Sequence, residues 1–311
     1  MSRQDRIPAD HPAFADLPAR MLTLDRGDAA MAVYVAGRLG GDRPPLVCIP
    51  GYHRNMSDYS AFLRQCSLRL PADWPVVLLD LRGRGRSTDR AKHDYASPAD
   101  ALDLTILANA LGIERAVFIG QGYGGQVTMA LASLRPSLIA GAVLIDAGPV
   151  SDPRGLVRLR VNLRHIAALR GDATIRAGLR QILANDYPGT AEGELDKLAL
   201  RTHFIGRRGR AHGLFDPQLL LMLDSFEHDD VLVAQWPLFD ALAGAPLLLF
   251  RSQFTDQLRR ETFDEMIRRR PEAEALVIAG QGSPALLDHA EEVDAIAGFL
   301  ASLAPQRRLA S

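Results

Sequence analysis

The sequence predicts an α/β protein: a mostly parallel, eight-stranded sheet with helices on both faces and a helical segment inserted into it. Six short apolar runs carry most of that reading: Leu46 to Ile49, Val76 to Asp80, Ala116 to Ile119, Ala142 to Asp146, Leu247 to Phe250 and Ala275 to Ala279. Each ends in turn residues and is continuous rather than alternating, the pattern of strands buried on both faces. Most are separated by stretches of helical periodicity, as parallel strands joined by crossovers require. Ahead of them, Met21 to Asp25 and Met31 to Ala36 flank a Gly27-Asp28 turn and read as an antiparallel hairpin, which completes the eight. The rhythm breaks from Val150 to Ala243, which is helix-like and rich in arginine. The chain therefore divides into a core of residues 1–149 and 244–311 and an inserted helical lid of residues 150–243.

With 311 residues, 47% of them hydrophobic and 23% charged, the chain can bury one full core, so one domain with an insertion is expected. A formal net charge of −1 gives no overall electrostatic footprint for nucleic acid or an anionic membrane, and neither is expected as a partner. Cys48 lies in an apolar run and Cys66 in a helix, without the spacing of a metal or redox site. No metal and no cofactor are expected. Met1 to Ala19 is polar and proline-rich with no apolar signal core, and no later stretch reaches the length of a membrane span. A cytoplasmic protein is the resulting expectation. The first lid helix, Gly155 to Arg170, places Leu156, Leu159, Leu163 and Ile166 at helical spacing, while Arg158, Arg160, Arg164 and Arg170 read as its solvated face.

The most informative segment is Ala116-Val-Phe-Ile-Gly120-Gln-Gly122-Tyr-Gly124-Gly125, a buried strand turning tightly into a helix that begins near Tyr123. Gly120, Gly122 and Gly125 satisfy the dinucleotide fingerprint GxGxxG, with Asp146 at the distance of a ribose-binding acid. The same strand, turn and helix match the nucleophile elbow GxSxG, with Gly122 at the serine. Position favours the second reading, because a dinucleotide fingerprint usually opens its domain whereas this one follows a hairpin and two further strands.

Four more segments support it. Ile49-Pro50-Gly51-Tyr52 resembles the oxyanion loop of α/β-hydrolases, and Asp80-Leu-Arg-Gly83-Arg-Gly85-Arg-Ser87 the arginine/glycine loop after their fourth strand. Pro246 to Asp256 resembles the strand and loop that deliver the catalytic acid, and Pro284-Ala-Leu-Leu-Asp288 the tail of the histidine loop. The resemblance covers nearly the whole chain outside the lid and is closest to bacterial enol-lactone and C–C bond hydrolases. It implies a Ser, Asp, His order of catalytic residues.

The chain departs from that pattern at two of three positions. The serine is Gly122, and alignment on Pro284 puts Gly282 at the histidine; the acid is retained as Asp256. Glycine has no atom to attack a carbonyl or carry a proton, so ordinary Ser-His-Asp hydrolysis is not expected. The amides of Tyr52 and Tyr123 occupy the oxyanion-donor positions, so a carbonyl or carboxylate can still be bound. A carboxylate that has lost its imidazole must find another donor, take up a proton or admit water. Asp256 is thus also a candidate general base. His53 and Arg54, just beyond the oxyanion position, are candidate ligand contacts, against the plainer reading of His53 as a partly exposed loop residue. Ser283 reads as a turn residue or a displaced nucleophile with no histidine partner. His165, His203, His212 and His228 of the lid form no zinc spacing.

The leading expectation is a triad-deficient hydrolase homologue, a pseudo-hydrolase binding a small carbonyl or carboxylate compound beneath its lid. The alternative is hydrolysis of an ester, lactone or C–C bond through replacement residues, and the third reading is dinucleotide binding. The sequence leaves the ligand's identity and the oligomeric state open.

Overall fold

The computed structural model describes residues 7–24, 27–91 and 94–303. In chain order the sheet-forming elements are β1 (Arg20–Thr23), β2 (Ala30–Ala36), β3 (Leu46–Ile49), β4 (Val76–Leu79), β5 (Ala116–Gln121) and β6 (Ile139–Ile145). Helices α1 (Ser60–Arg69), α2 (Ser97–Ala110) and α3 (Tyr123–Leu134) connect them. Between β6 and the next sheet strand lie α4 (Pro153–Ala168), α5 (Asp172–Asp186), α6 (Glu192–Leu200), the hairpin β7 (His203–Gly206) and β8 (Arg210–Gly213), α7 (Gln218–Met222) and α8 (Trp236–Asp240). The chain finishes with β9 (Leu247–Ser252), α9 (Arg260–Arg269), β10 (Glu274–Ile278) and α10 (Ala290–Leu303).

The eight strands of the main sheet run in the order β1-β2-β4-β3-β5-β6-β9-β10. The pairings β1–β2 and β2–β4 are antiparallel, and every other neighbour pair is parallel. All eight strands expected from the sequence are present, with ends shifted by a few residues. Asp25, the last residue of the first expected strand, lies outside the described residues.

Continuous apolarity in β3 follows from burial on both faces. Val47 and Ile49 enter the core beneath α2, α3 and α9, whereas Leu46 and Cys48 enter the core beneath α1 and α10. One face packs Leu104, Leu107, Met129, Leu131, Phe263 and Met266, and the other packs Phe62, Cys66, Val293, Ile296 and Phe299. Among the described residues no helix is long and apolar enough to cross a membrane.

The segment between β6 and β9 is not purely helical as expected, because it includes the β7–β8 hairpin. The stretch that leaves the hairpin is stitched to the arginine/glycine loop: Gly85 N donates to Leu214 O at 2.7 Å and Asp216 N to Gly83 O at 2.7 Å. Backbone bonding between two loops far apart in sequence fixes how the segment sits over the sheet.

Candidate functional site

Strand β5 ends at Gln121, the chain turns at Gly122 with φ +50 and ψ −114, and α3 begins at Tyr123. A side chain is strained at that φ, so glycine relieves the turn. The turn is held by Gly122 N donating to Ile145 O at 2.8 Å and by Gly122 O accepting from Gly125 N at 3.0 Å. Close approach of helix and strand also demands Gly124, where an added Cβ would lie 2.2 Å from Ile49 O. A Cβ on Gly122 would stand 2.2 Å from Gln257 Oε1. The carboxamide of Gln257 thus fills the space that a side chain at 122 would take.

The loop after β3 is positioned by a buried arginine. Arg84 Nε donates to Tyr52 O at 2.8 Å and Nη1 reaches Asp100 Oδ2 at 3.2 Å. Its guanidinium lies 5.7, 5.1 and 5.2 Å from the ring centres of Tyr52, Tyr95 and Tyr123. The two candidate tyrosines have committed hydroxyls: Tyr52 OH donates to Leu219 O at 3.0 Å, and Tyr123 OH to Asp100 Oδ2 at 2.8 Å. Burial pushes the Tyr52 phenol up to about 12 and Tyr123 well above its ordinary value, so both stay protonated. Among the described residues, no acceptor takes the backbone N–H of either tyrosine. Those two amides, one at the positive end of α3, remain for a ligand.

His53 is a half-buried loop residue, as the plainer expectation had it, and it also lines the cavity, meeting Phe215 edge-on at 5.5 Å. His203 meets the same ring from another side at 5.8 Å. Burial, assisted by Arg54, holds His53 far below the ordinary imidazole range and lowers His203 to about 4. Both are neutral near pH 7. Arg54 also lines the cavity, but its charge is engaged by Asp58 through bonds of 2.7 and 2.5 Å.

Asp256 has found a donor, one that sequence reading assigned to a solvated face. Arg158 of α4 bonds Asp256 through Nε and reaches Asp186 Oδ1 of α5 at 3.0 Å. Arg160 also turns inward, donating to Leu223 O at 3.1 Å and Phe226 O at 2.8 Å, whereas Arg164 pairs with Asp224 near the surface. Beside the Arg158 bridge, Gly282 N donates to Asp186 O at 2.6 Å, and a Cβ at 282 would stand 3.1 Å from Asp186 Cα. A side chain at 282 would therefore project into tight contact with the end of α5, which would have to give by a few tenths of an ångström.

A second polar cluster escaped sequence reading. Asp146, at the end of β6 with φ +50, accepts Ser252 N at 2.6 Å, Ser252 Oγ at 2.7 Å and Ser283 Oγ at 2.6 Å. Thr255 Oγ1 lies 2.7 Å from Ser283 Oγ. Burial raises the Asp146 carboxyl, and the hydrogen bonds from both serines oppose that rise. Both of its oxygens already accept hydrogen bonds inside the fold, so a ribose hydroxyl would have to share them. The available signal was serine at two loop positions, 252 and 283, whose shared partner is visible only in three dimensions.

These groups surround a cavity of about 420 Å³ between the C-terminal edge of the sheet and the covering segment. Gly122, Tyr52, Tyr123, His53, Arg54, Asp256 and Ser283 line it, whereas Gly282 is backed by Asp186 and does not. Leu156, Leu159, Leu163 and Ile166 form its roof.

Residues 44–181 match the family described as alpha/beta hydrolase fold. A crystal structure of an α/β hydrolase from Novosphingobium aromaticivorans is 31% identical, with a TM-score of 0.78 over 92% of this chain and 98% of that one. The 3-hydroxybutyrate-oligomer hydrolase of Cupriavidus necator is 29% identical over 254 residues, 79% of this chain and 85% of the relative. The structure of E-2-(acetamidomethylene)succinate hydrolase, 19% identical with a TM-score of 0.73 over 92% of this chain and 99% of that one, shares the fold. The chain belongs to the α/β-hydrolase fold family.

Proposed function

We propose that this protein binds a small carbonyl or carboxylate compound in the covered cavity and that the serine–histidine route of its fold is closed to it. The observation that carries the reading is Gly122: the elbow turn is present, and the Gln257 carboxamide stands where a side chain would. Asp256 supports it, since that carboxylate is bonded to Arg158 and serves to hold the segment that forms the lid. A ligand oxygen would accept the Tyr52 and Tyr123 amides, charge stabilisation that needs no nucleophile.

A second reading, hydrolysis through replacement groups, is favoured by the hydrolase names of the relatives and by Ser283 lying 2.6 Å from the Asp146 carboxylate. Release of p-nitrophenol from short acyl esters separates the two. The expected outcome is that the native chain and its Asp256→Ala variant both stay at the uncatalysed rate. Turnover above background in the native chain that vanishes in Ser283→Ala would establish the second reading in place of the first.

A further inference from the structure

A second cavity of about 210 Å³ lies beside the first, walled by Ala167, Phe204, Ala211, Phe215 and Leu220 among others. Leu163 and His203 line both cavities, so the partition between them is a single side chain thick at those two residues. Phe215 completes the partition and touches His53 on the first cavity's side.

Helix α4 runs along both. Leu156 and Leu159 line the first cavity, Leu163 lines both, and Ala167 lines the second. These four positions follow helical spacing, so they form one apolar rail about 16 Å long from first to last. The rail's orientation is fixed by its start: at Gly155 a Cβ would come 2.6 Å from Asp256 O, so the first turn of α4 is seated on the loop that carries Asp256. It therefore leads from the polar floor of the first cavity towards the apolar second one. His203 adds no charge to the partition near neutral pH, being held at about 4 by burial and then Arg54.

Building on the reading of the first cavity as a carbonyl or carboxylate site, we infer that the two cavities form one elongated site for an amphiphile. Its head accepts the amides of Tyr52 and Tyr123, and its unbranched aliphatic tail follows Leu156, Leu159 and Leu163 to Ala167, displacing the Leu163 and His203 side chains where they part the cavities. The occupant is a straight-chain carboxylic acid or acyl compound.

Calorimetric titration of the native protein with straight-chain carboxylates from butyrate to decanoate tests this. Affinity should climb about three- to fourfold per added methylene, the increment for burying a CH₂. In Ala167→Trp, which fills the second cavity from the surface end of α4, butyrate should bind as in the native chain while the climb stops at a shorter chain. Butyrate binding with no gain on lengthening, or a variant series identical to the native one, overturns the tail site and leaves the carboxylate site standing. Absence of binding at every length overturns both.

Discussion

Arg84 is a charge with no access to solvent, supported by Asp100, the Tyr52 carbonyl and three tyrosine rings. Asp100 keeps Arg90 at 2.7 Å and the Tyr123 hydroxyl when Arg84 is truncated, so Arg84→Ala chiefly loses the charged hydrogen bond to Tyr52 O and should cost about 1.5–3 kcal/mol in urea unfolding. Lysine should not rescue it, because one ammonium cannot serve Tyr52 O and Asp100 in the guanidinium's planar geometry. A variant within about 0.5 kcal/mol of native stability would show that Arg84 does not hold the loop as argued. The role of this residue was half legible in advance: its loop was recognised by resemblance, but the aromatic box was not, since Tyr52, Tyr95 and Tyr123 are dispersed along the chain. The same holds for Arg158, whose partners Asp186 and Asp256 are separated from it by 28 and 98 residues.

At the scale of elements, apolar runs gave the strands because burial on two faces leaves a local signature. The covering segment was harder. Its β7–β8 hairpin has strands of four residues each, Arg210 and His212 among them, too short for their alternation to stand out in the sequence. Its docking is a property of backbone against backbone, seen where α5 ends against the loop after β10. There, Gly282→His forces the imidazole's Cβ against Asp186 Cα at 3.1 Å and against its carbonyl. Overpacking of this kind costs about 1–3 kcal/mol, and hydrogen exchange in α5 should accelerate in the variant. Gly122→Ser with Gly282→His should consequently remain silent on p-nitrophenyl esters. Ester turnover by that double variant would mean that the imidazole finds room and that the segment yields.

For the molecule as a whole, the buried imidazoles set a sign for pH. His11, His53 and His203 are all lowered, by burial first, so the unfolded chain binds protons near pH 6.5 that the folded chain refuses. Their contribution to stability is complete above about pH 6.5 and is lost as pH falls towards the folded value, about 4 for His203. Asp146, Asp186 and Glu292, all raised by burial, act in the opposite direction because the folded chain accepts their protons first. Replacing His203 by Gln isolates one histidine from that balance. The melting temperature of the variant should fall less than the native one between about pH 7 and pH 4.5, and equal falls would place no proton-linked strain at His203.

The absence of a hydroxyl at Gly122 also bears on how the protein can be detected. Reagents that mark this fold in a mixture do so by forming a covalent adduct with the elbow serine, and fluorophosphonates are the usual choice. Without that oxygen the protein offers them no elbow attachment, however well its pocket accommodates their tails. On the proposed function, a survey of active hydrolases by such labelling should pass over it, whereas ligand-dependent thermal stabilisation should register it; labelling lost in Ser283→Ala would favour the second reading.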